Sequence, residues 1–291
     1  MAQSQTPASA MQSVLNLIRL RDFGVGPKIA AVILLVIVVL TLFANWIAPH
    51  DPLAMNPMMR LKGPVEGHPL GTDNYGRDIL SRVLIGGRLS LLIGVATAIV
   101  AVLLGLVIGM VAGFFRTADA IIMRMMDALM AIPSILLAIA LVALNGPSIG
   151  SVIAAITIPE IPRVVRLVRA VVLSAREEPY VEAAIALGSS MPKILFRHLV
   201  PNTMAPLIVQ GTYILASAIL TEAVLSFLGA GVSTETPTWG NIMAEGRMFF
   251  RIKPELILYP GLLLSLCILS INLLGDAARD MLDPRLKKRA G

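Results

Sequence analysis

The chain has 291 residues, 56% of them hydrophobic and only 14% charged, where soluble domains run at about half apolar and about a quarter charged. A net charge of +6 would suit nucleic acid only if the basic residues gathered on one soluble face; here they lie between apolar blocks, so nucleic acid is not an expected partner. The single cysteine, Cys267, sits in an apolar run, which excludes an intrachain disulfide, and His50, His68 and His198 lack metal-ligand spacing, so neither a metal site nor a zinc enzyme is expected.

In chain order, a polar tail (residues 1–28) precedes Ile29 to Ala48, a charge-free block longer than a signal-peptide core and read as a retained anchor. Pro49 and Pro52 close this first span. Residues up to Arg88 form an extramembrane segment, with turns predicted at Gly63-Pro64, around Gly71 and at Gly86-Gly87, and a charged amphipathic stretch from Asp78 to Leu84. Leu89 to Phe115 is the second span. Arg124 and Asp127, spaced as an ion pair on one helix face, precede a third span at Ala128 to Leu144 with a kink at Pro133. Ser148 to Ile158 is a short fourth span, broken at Pro159-Glu160-Ile161-Pro162. A long polar excursion follows, then Met204 to Leu228 as the fifth span, a polar loop to Pro254, and Leu256 to Leu274 as the sixth.

Six spans put both termini on one side. The N-tail, residues 116–127, residues 163–197 and the C-tail (277–291) hold 16 of the 24 Lys and Arg, so by the positive-inside rule that side is cytoplasmic. The expected fold is therefore all-α: a polytopic membrane protein with six transmembrane helices. Its parts are a first helix with its external segment (29–88), a core of five helices (89–276) and two cytoplasmic tails.

Within the excursion, residues 177–202 read as two short helices joined at a glycine. Pro179 and the acids suit a first turn, Gly188 suits a helix end, and Ser190 before Pro192 suits a new start. The first of these helices offers Val181, Ala183, Ala184 and Ile185, small and apolar for an aqueous loop. Either a partner's groove covers them or the helix lies back on its own bundle.

Glu182-Ala183-Ala184, three residues and Gly188 resemble the EAA loop of binding-protein-dependent ABC importer permeases, and Arg197 to Asn202 resembles its ending in peptide-type permeases. His68-Pro69-Leu70-Gly71-Thr72-Asp73, Gly76-Arg77-Asp78, Ser81-Arg82, Leu225-Ser226-Phe227-Leu228-Gly229, Pro237-Thr238-Trp239-Gly240 and Asn272 to Asp276 extend the likeness to the C-type permease of the oligopeptide, dipeptide and nickel importers. The resemblance implies a type I ABC importer permease (MetI-like) fold and import of di- or oligopeptides, or of a nickel chelate or glutathione on the same architecture. Pro179, Tyr180, Val181, Glu182, Ala183, Ala184 and Gly188 would form the ATPase-coupling loop. The implied partners are a homologous B-type permease, two ATPase subunits or domains, a periplasmic or extracellular solute-binding protein and membrane lipids. ATP and Mg would sit on the ATPase partners. The chain has no Gly-Lys dipeptide and hence no phosphate-cradling loop, and it is not expected to be an enzyme.

Two acids fall at membrane depth, where ionisable groups are functional by default. Glu160 is either a cavity acid in the broken fourth span, meeting an ammonium group, or the partner of Arg163. Glu222 is either part of the path or gate, or a solvated helix end near the outer interface. The methionines from Met123 to Met130 read as helix packing, and the basic run Arg285 to Arg289 as a lipid anchor. A secondary transporter working alone would need no EAA-like loop and would carry several paired intramembrane charges. An intramembrane hydrolase would need a buried base, and all three histidines lie outside the apolar blocks.

Overall fold

Apolar blocks in hydrocarbon must satisfy every backbone polar group internally, and a single chain does so most simply as helices. The computed structural model describes residues 24–282, and among these it contains helices and no strands. The basic run Arg285 to Arg289 and most of both tails lie outside the described residues. In order the helices are α1 (Val25–Leu42), α2 (Ala44–Ile47), α3 (Ile79–Phe114), α4 (Arg116–Met130), α5 (Ser134–Asn145), α6 (Ile149–Ala175), α7 (Pro179–Ala186), α8 (Met191–Ile194), α9 (Val200–Phe227), α10 (Trp239–Gly246) and α11 (Glu255–Leu282). The helices α1, α3, α9 with the turns before it, and α11 are long and apolar enough to cross a membrane, and α4 with α5 is a fifth candidate if bent into one span. Length and apolarity alone therefore do not reach the expected count of six; the remaining candidate, α6, has 27 residues but carries Glu160, Arg163, Arg166 and Arg169.

Several expectations are corrected. No turn occurs at Gly86-Gly87, because α3 starts at its Asp78 cap, whose carboxylate accepts the Ser81 N–H at 2.7 Å, and runs unbroken through both glycines. A Cβ on Gly87 would come within 2.7 Å of the Trp239 indole and of Thr41, so this glycine serves close packing. The helix expected as a fourth span is neither short nor broken: α6 passes continuously through Pro159 and Pro162. Its packing against α3, α5 and α9 keeps it continuous where proline alone would interrupt it. At Pro133 the predicted kink is a 90° bend between α4 and α5, which splits the third span in two. The polar loop before Pro254 contains α10, capped by Thr238, whose Oγ1 accepts the Asn241 N–H at 3.1 Å.

The most extensive packing is between α3 and α6. Gly105, Gly109 and Gly113 recur every fourth residue on α3 and face Val164, Val168 and Val172 on α6. Added Cβ atoms would lie 2.4, 2.7 and 2.7 Å from the three valine Cβ atoms. Small residues at this spacing bring helix backbones together where lipid offers no hydrophobic drive for association. The pairing also sets direction: α3 and α6 run parallel over this stretch, so α7, which follows α6, lies at the end where α3 finishes. The segment 43–78 and α10 lie at the opposite end, where Thr41, Gly87 and Trp239 meet.

Candidate coupling site

Beyond α6 the chain turns at Arg176 and enters α7 with Pro179 in the first turn, where its missing N–H costs nothing. Glu182 also lies in that turn, favourably placed against the helix dipole. Helix α7 ends in two reverse hydrogen bonds. The Gly188 N–H donates to the Ile185 carbonyl at 2.9 Å and the Ser189 N–H to the Ala184 carbonyl at 3.0 Å, with Gly188 at φ +73°. This is a Schellman closure, which needs a left-handed residue just past the helix and so selects glycine. Ser190 then precedes α8, with Pro192 in its first turn, and a π-helical turn (Leu195–Leu199) leads into α9. Two short helices joined at a glycine are thus present as expected.

Val181 does not belong to the presented surface. It is fully buried among Val168, Val172, Ile194 and Leu199, and so pins α7 to the bundle. A second tie escaped the sequence reading: Asn202 Nδ2 donates to the Tyr180 hydroxyl at 2.8 Å and to the His198 carbonyl at 2.7 Å. The exposed side holds Ile185, Leu187 at 86% exposure and Phe196 at 74%. Ala183 is exposed and Ala184 partly so. Leu187 and Phe196 could have been found as large apolar residues in an otherwise polar excursion.

The intramembrane acids have definite partners. Glu160 is buried on α6; Arg163 Nη1 reaches both of its oxygens at 3.1 Å, and Ser217 Oγ on α9 donates at 3.2 Å. Because α6 is continuous, no unwound backbone surrounds Glu160. Glu222 is fully buried rather than a solvated helix end, accepting from Ser90 Oγ at 3.0 Å and Ser226 Oγ at 2.8 Å. Since Ser90 Oγ also accepts the Trp239 N–H at 3.3 Å, Glu222 belongs to the junction of α3, α9 and α10. Asp127 pairs with Arg166 at 2.6 Å, not with Arg124, and Asp119 pairs with Arg169, so two ion pairs strap α4 to α6.

At the end opposite α7, the motif residues before the second span interlock. Asp73 Oδ2 accepts from Arg77 Nε and from Arg82 Nη1, both at 2.6 Å. Glu245 on α10 accepts from Arg82 Nη1 at 2.6 Å and Nη2 at 3.0 Å, and also from Arg77. Gly76, at φ +75°, closes the turn because a Cβ there would fall 1.8 Å from the Asn56 carbonyl oxygen.

Residues 81–288 match the family described as binding-protein-dependent transport system inner membrane component, and residues 28–64 match the N-terminal TM domain of oligopeptide transport permease C. A probable peptide ABC transporter permease of Sinorhizobium fredii is 52% identical over 82% of this chain and 82% of its own length. A dipeptide transport system permease of Alkalihalophilus pseudofirmus is 41% identical over 89% and 87%, and a glutathione transport system permease of Pectobacterium atrosepticum 39% over 89% and 86%. Among solved structures, the MetNI methionine ABC transporter aligns with 67% of this chain and 94% of its own, at 21% identity and a TM-score of 0.48. With matches that together span most of residues 28–288, the chain belongs to the binding-protein-dependent transport system inner membrane components, the integral-membrane permeases of ABC transporters.

Proposed function

We propose that this chain is the C-type permease subunit of an importer for di- or oligopeptides, driven by ATP hydrolysis on separate subunits. The cargo class rests on the relatives, several of which are named for peptide, dipeptide or glutathione transport. The α7 end faces the cytoplasm, in keeping with the excess of Lys and Arg there, and α6 is the fourth span in chain order, bringing the count to six. Two ATPase subunits bind below, a homologous permease beside, and a solute-binding protein above; apolar faces such as Leu92, Ile99 and Leu103 on α3 meet lipid or the paired permease.

The observation that carries the reading is the knob made by α7 and its exit. It is fastened underneath by Val181 and Tyr180, closed by Gly188, and leaves Ile185, Leu187 and Phe196 unpartnered at one end of the bundle. Pro179, Tyr180, Val181, Glu182, Ala183, Ala184 and Gly188 then divide their work. Val181 and Tyr180 transmit force to the bundle, Glu182 and Pro179 hold the helix start, and the two alanines keep the docking face low.

The test is reconstitution with the ATPase subunits and a Gly188→Leu variant. Nothing lies within 4 Å of a Cβ there, so the substitution costs only left-handed strain of about 1–2 kcal/mol and the protein still folds. Uptake is lost while ATP hydrolysis persists. Unchanged uptake by Gly188→Leu, or transport by the chain alone, refutes the reading.

A further inference from the structure

His50 and His68, 18 positions apart in sequence, stand face to face in the structure. Their rings stack with centroids 4.3 Å apart and planes 19° from parallel. His68 Nδ1 lies 2.9 Å from Asp78 Oδ1, and one ligand atom from each of His50, His68 and Asp78 falls within 4.8 Å of the other two. Spacing along the sequence offers no metal-ligand pattern here, and the turns of the segment 43–78 bring together what that spacing separates.

The three groups are held from behind. The His50 N–H donates to Ser81 Oγ at 3.1 Å, and the Ser81 hydroxyl and N–H both donate to Asp78 Oδ2 at 2.7 Å. His68 is fixed by paired backbone bonds with Val65, 2.9 and 3.2 Å long, and its carbonyl accepts the Gly71 N–H at 2.9 Å. Asp78 is thus oriented through one oxygen while the other faces the imidazoles, the arrangement in which an outer partner aims a ligating carboxylate. Bonds of about 2.0–2.1 Å to a tetrahedral zinc place neighbouring ligand atoms about 3.3 Å apart. The His68–Asp78 pair meets that spacing after opening by a few tenths of an ångström, and the exposed His50 ring must tilt out of its stack on His68 to aim a nitrogen at the ion as the third ligand.

We propose that His50, His68 and Asp78 form a binding site for a divalent transition-metal ion of the zinc type, with two imidazole nitrogens, one carboxylate oxygen and a fourth position open to water. Two imidazoles and a carboxylate suit zinc and its borderline neighbours and not calcium or magnesium, which take oxygen ligands. The ion takes the place of the direct His68–Asp78 contact, and it staples the chain leaving α1 to the cap of α3. The site lies at the end of the bundle away from α7, and its existence does not depend on what the permease carries.

The experiment uses the assembled transporter, purified without a polyhistidine tag, stripped with chelator and titrated with Zn2+ against a chromophoric competitor, with Co2+ absorption reporting the ligand geometry. Wild type takes up one Zn2+ per copy of this chain, shifts its melting temperature upward and gives a tetrahedral Co2+ spectrum. His50→Gln and His68→Gln each weaken that binding about tenfold or more, whereas Asp51→Asn, which removes the exposed acid beside His50, leaves it unchanged. Equal binding by wild type and His50→Gln overturns the proposal. So does a wild-type transporter whose melting temperature does not move with Zn2+, a readout that stands even if a variant fails to fold.

Discussion

The two ends of the bundle solve opposite problems. At the end away from α7, Asp73, Arg77, Arg82 and Glu245 neutralise one another, and the Trp239 indole N–H donates to the Val83 carbonyl at 3.0 Å. Charged groups drawn from the segment before α3 and from α10 are paired with one another within one chain, while Trp46, Met58 and Met248 stand exposed around them. At the α7 end the polar groups do little beyond fastening, and Leu187 and Phe196 face outward with nothing against them. The ends therefore differ in how they use charge: one ties it into a buried cross-linked network, and the other uses it in separate pairs and single fastenings.

The contrast can be broken from either side. The largest effect is expected from Arg82→Leu, which leaves Asp73 and Glu245 sharing Arg77 alone. Breaking a buried charge network from one side costs about 3–5 kcal/mol, to be read as loss of folded protein in detergent thermal unfolding; a variant melting within a degree of wild type would show that the network is not structural. Next is Gly109→Val on the α3–α6 seam, where the new Cβ meets Val168 at 2.7 Å and the Val165 carbonyl oxygen at 2.9 Å. Overpacking of that kind costs about 1–3 kcal/mol and should lower the melting temperature without touching either end. Smallest in stability is Leu187→Ser, an exposed site whose substitution stays within about 0.5 kcal/mol. Its effect belongs to assembly: association with the ATPase subunits, followed by size-exclusion or pull-down, should weaken about tenfold, near 1.4 kcal/mol. Full-strength association by Leu187→Ser would erase the functional half of the contrast.

How far the sequence was legible follows the range of the forces involved. Helix α7, its proline start and its glycine end depend on residues within a few positions of one another, and these were readable. So were the main apolar helices, whose cause is local composition. What escaped was set by distant partners. Val181 looked presentable because nothing nearby in sequence announces Val168 and Ile194 beneath it. Glu222 looked solvated because the arithmetic of helix length does not know that α10 covers that end of α9. Gly86-Gly87 read as a turn because glycine has two uses, and only the position of Trp239 shows that close approach is the one at work. The glycines at 105, 109 and 113 had a legible small-residue period, yet their facing valines lie more than fifty residues further on. Continuity of α6 through two prolines likewise depends on neighbours that restrain the helix, which no local rule supplies.

That continuity has a mechanical consequence. A single helix of 27 residues is a rod about 40 Å long, with the knob hung directly from one tip and Glu160 near its middle. In the proposed coupling role, a push on α7 would travel along α6 and its glycine seam with α3 and tilt the pair. A tilt of about 10° on such a rod sweeps its opposite tip through about 7 Å, wide enough to open or shut a passage the width of a peptide backbone.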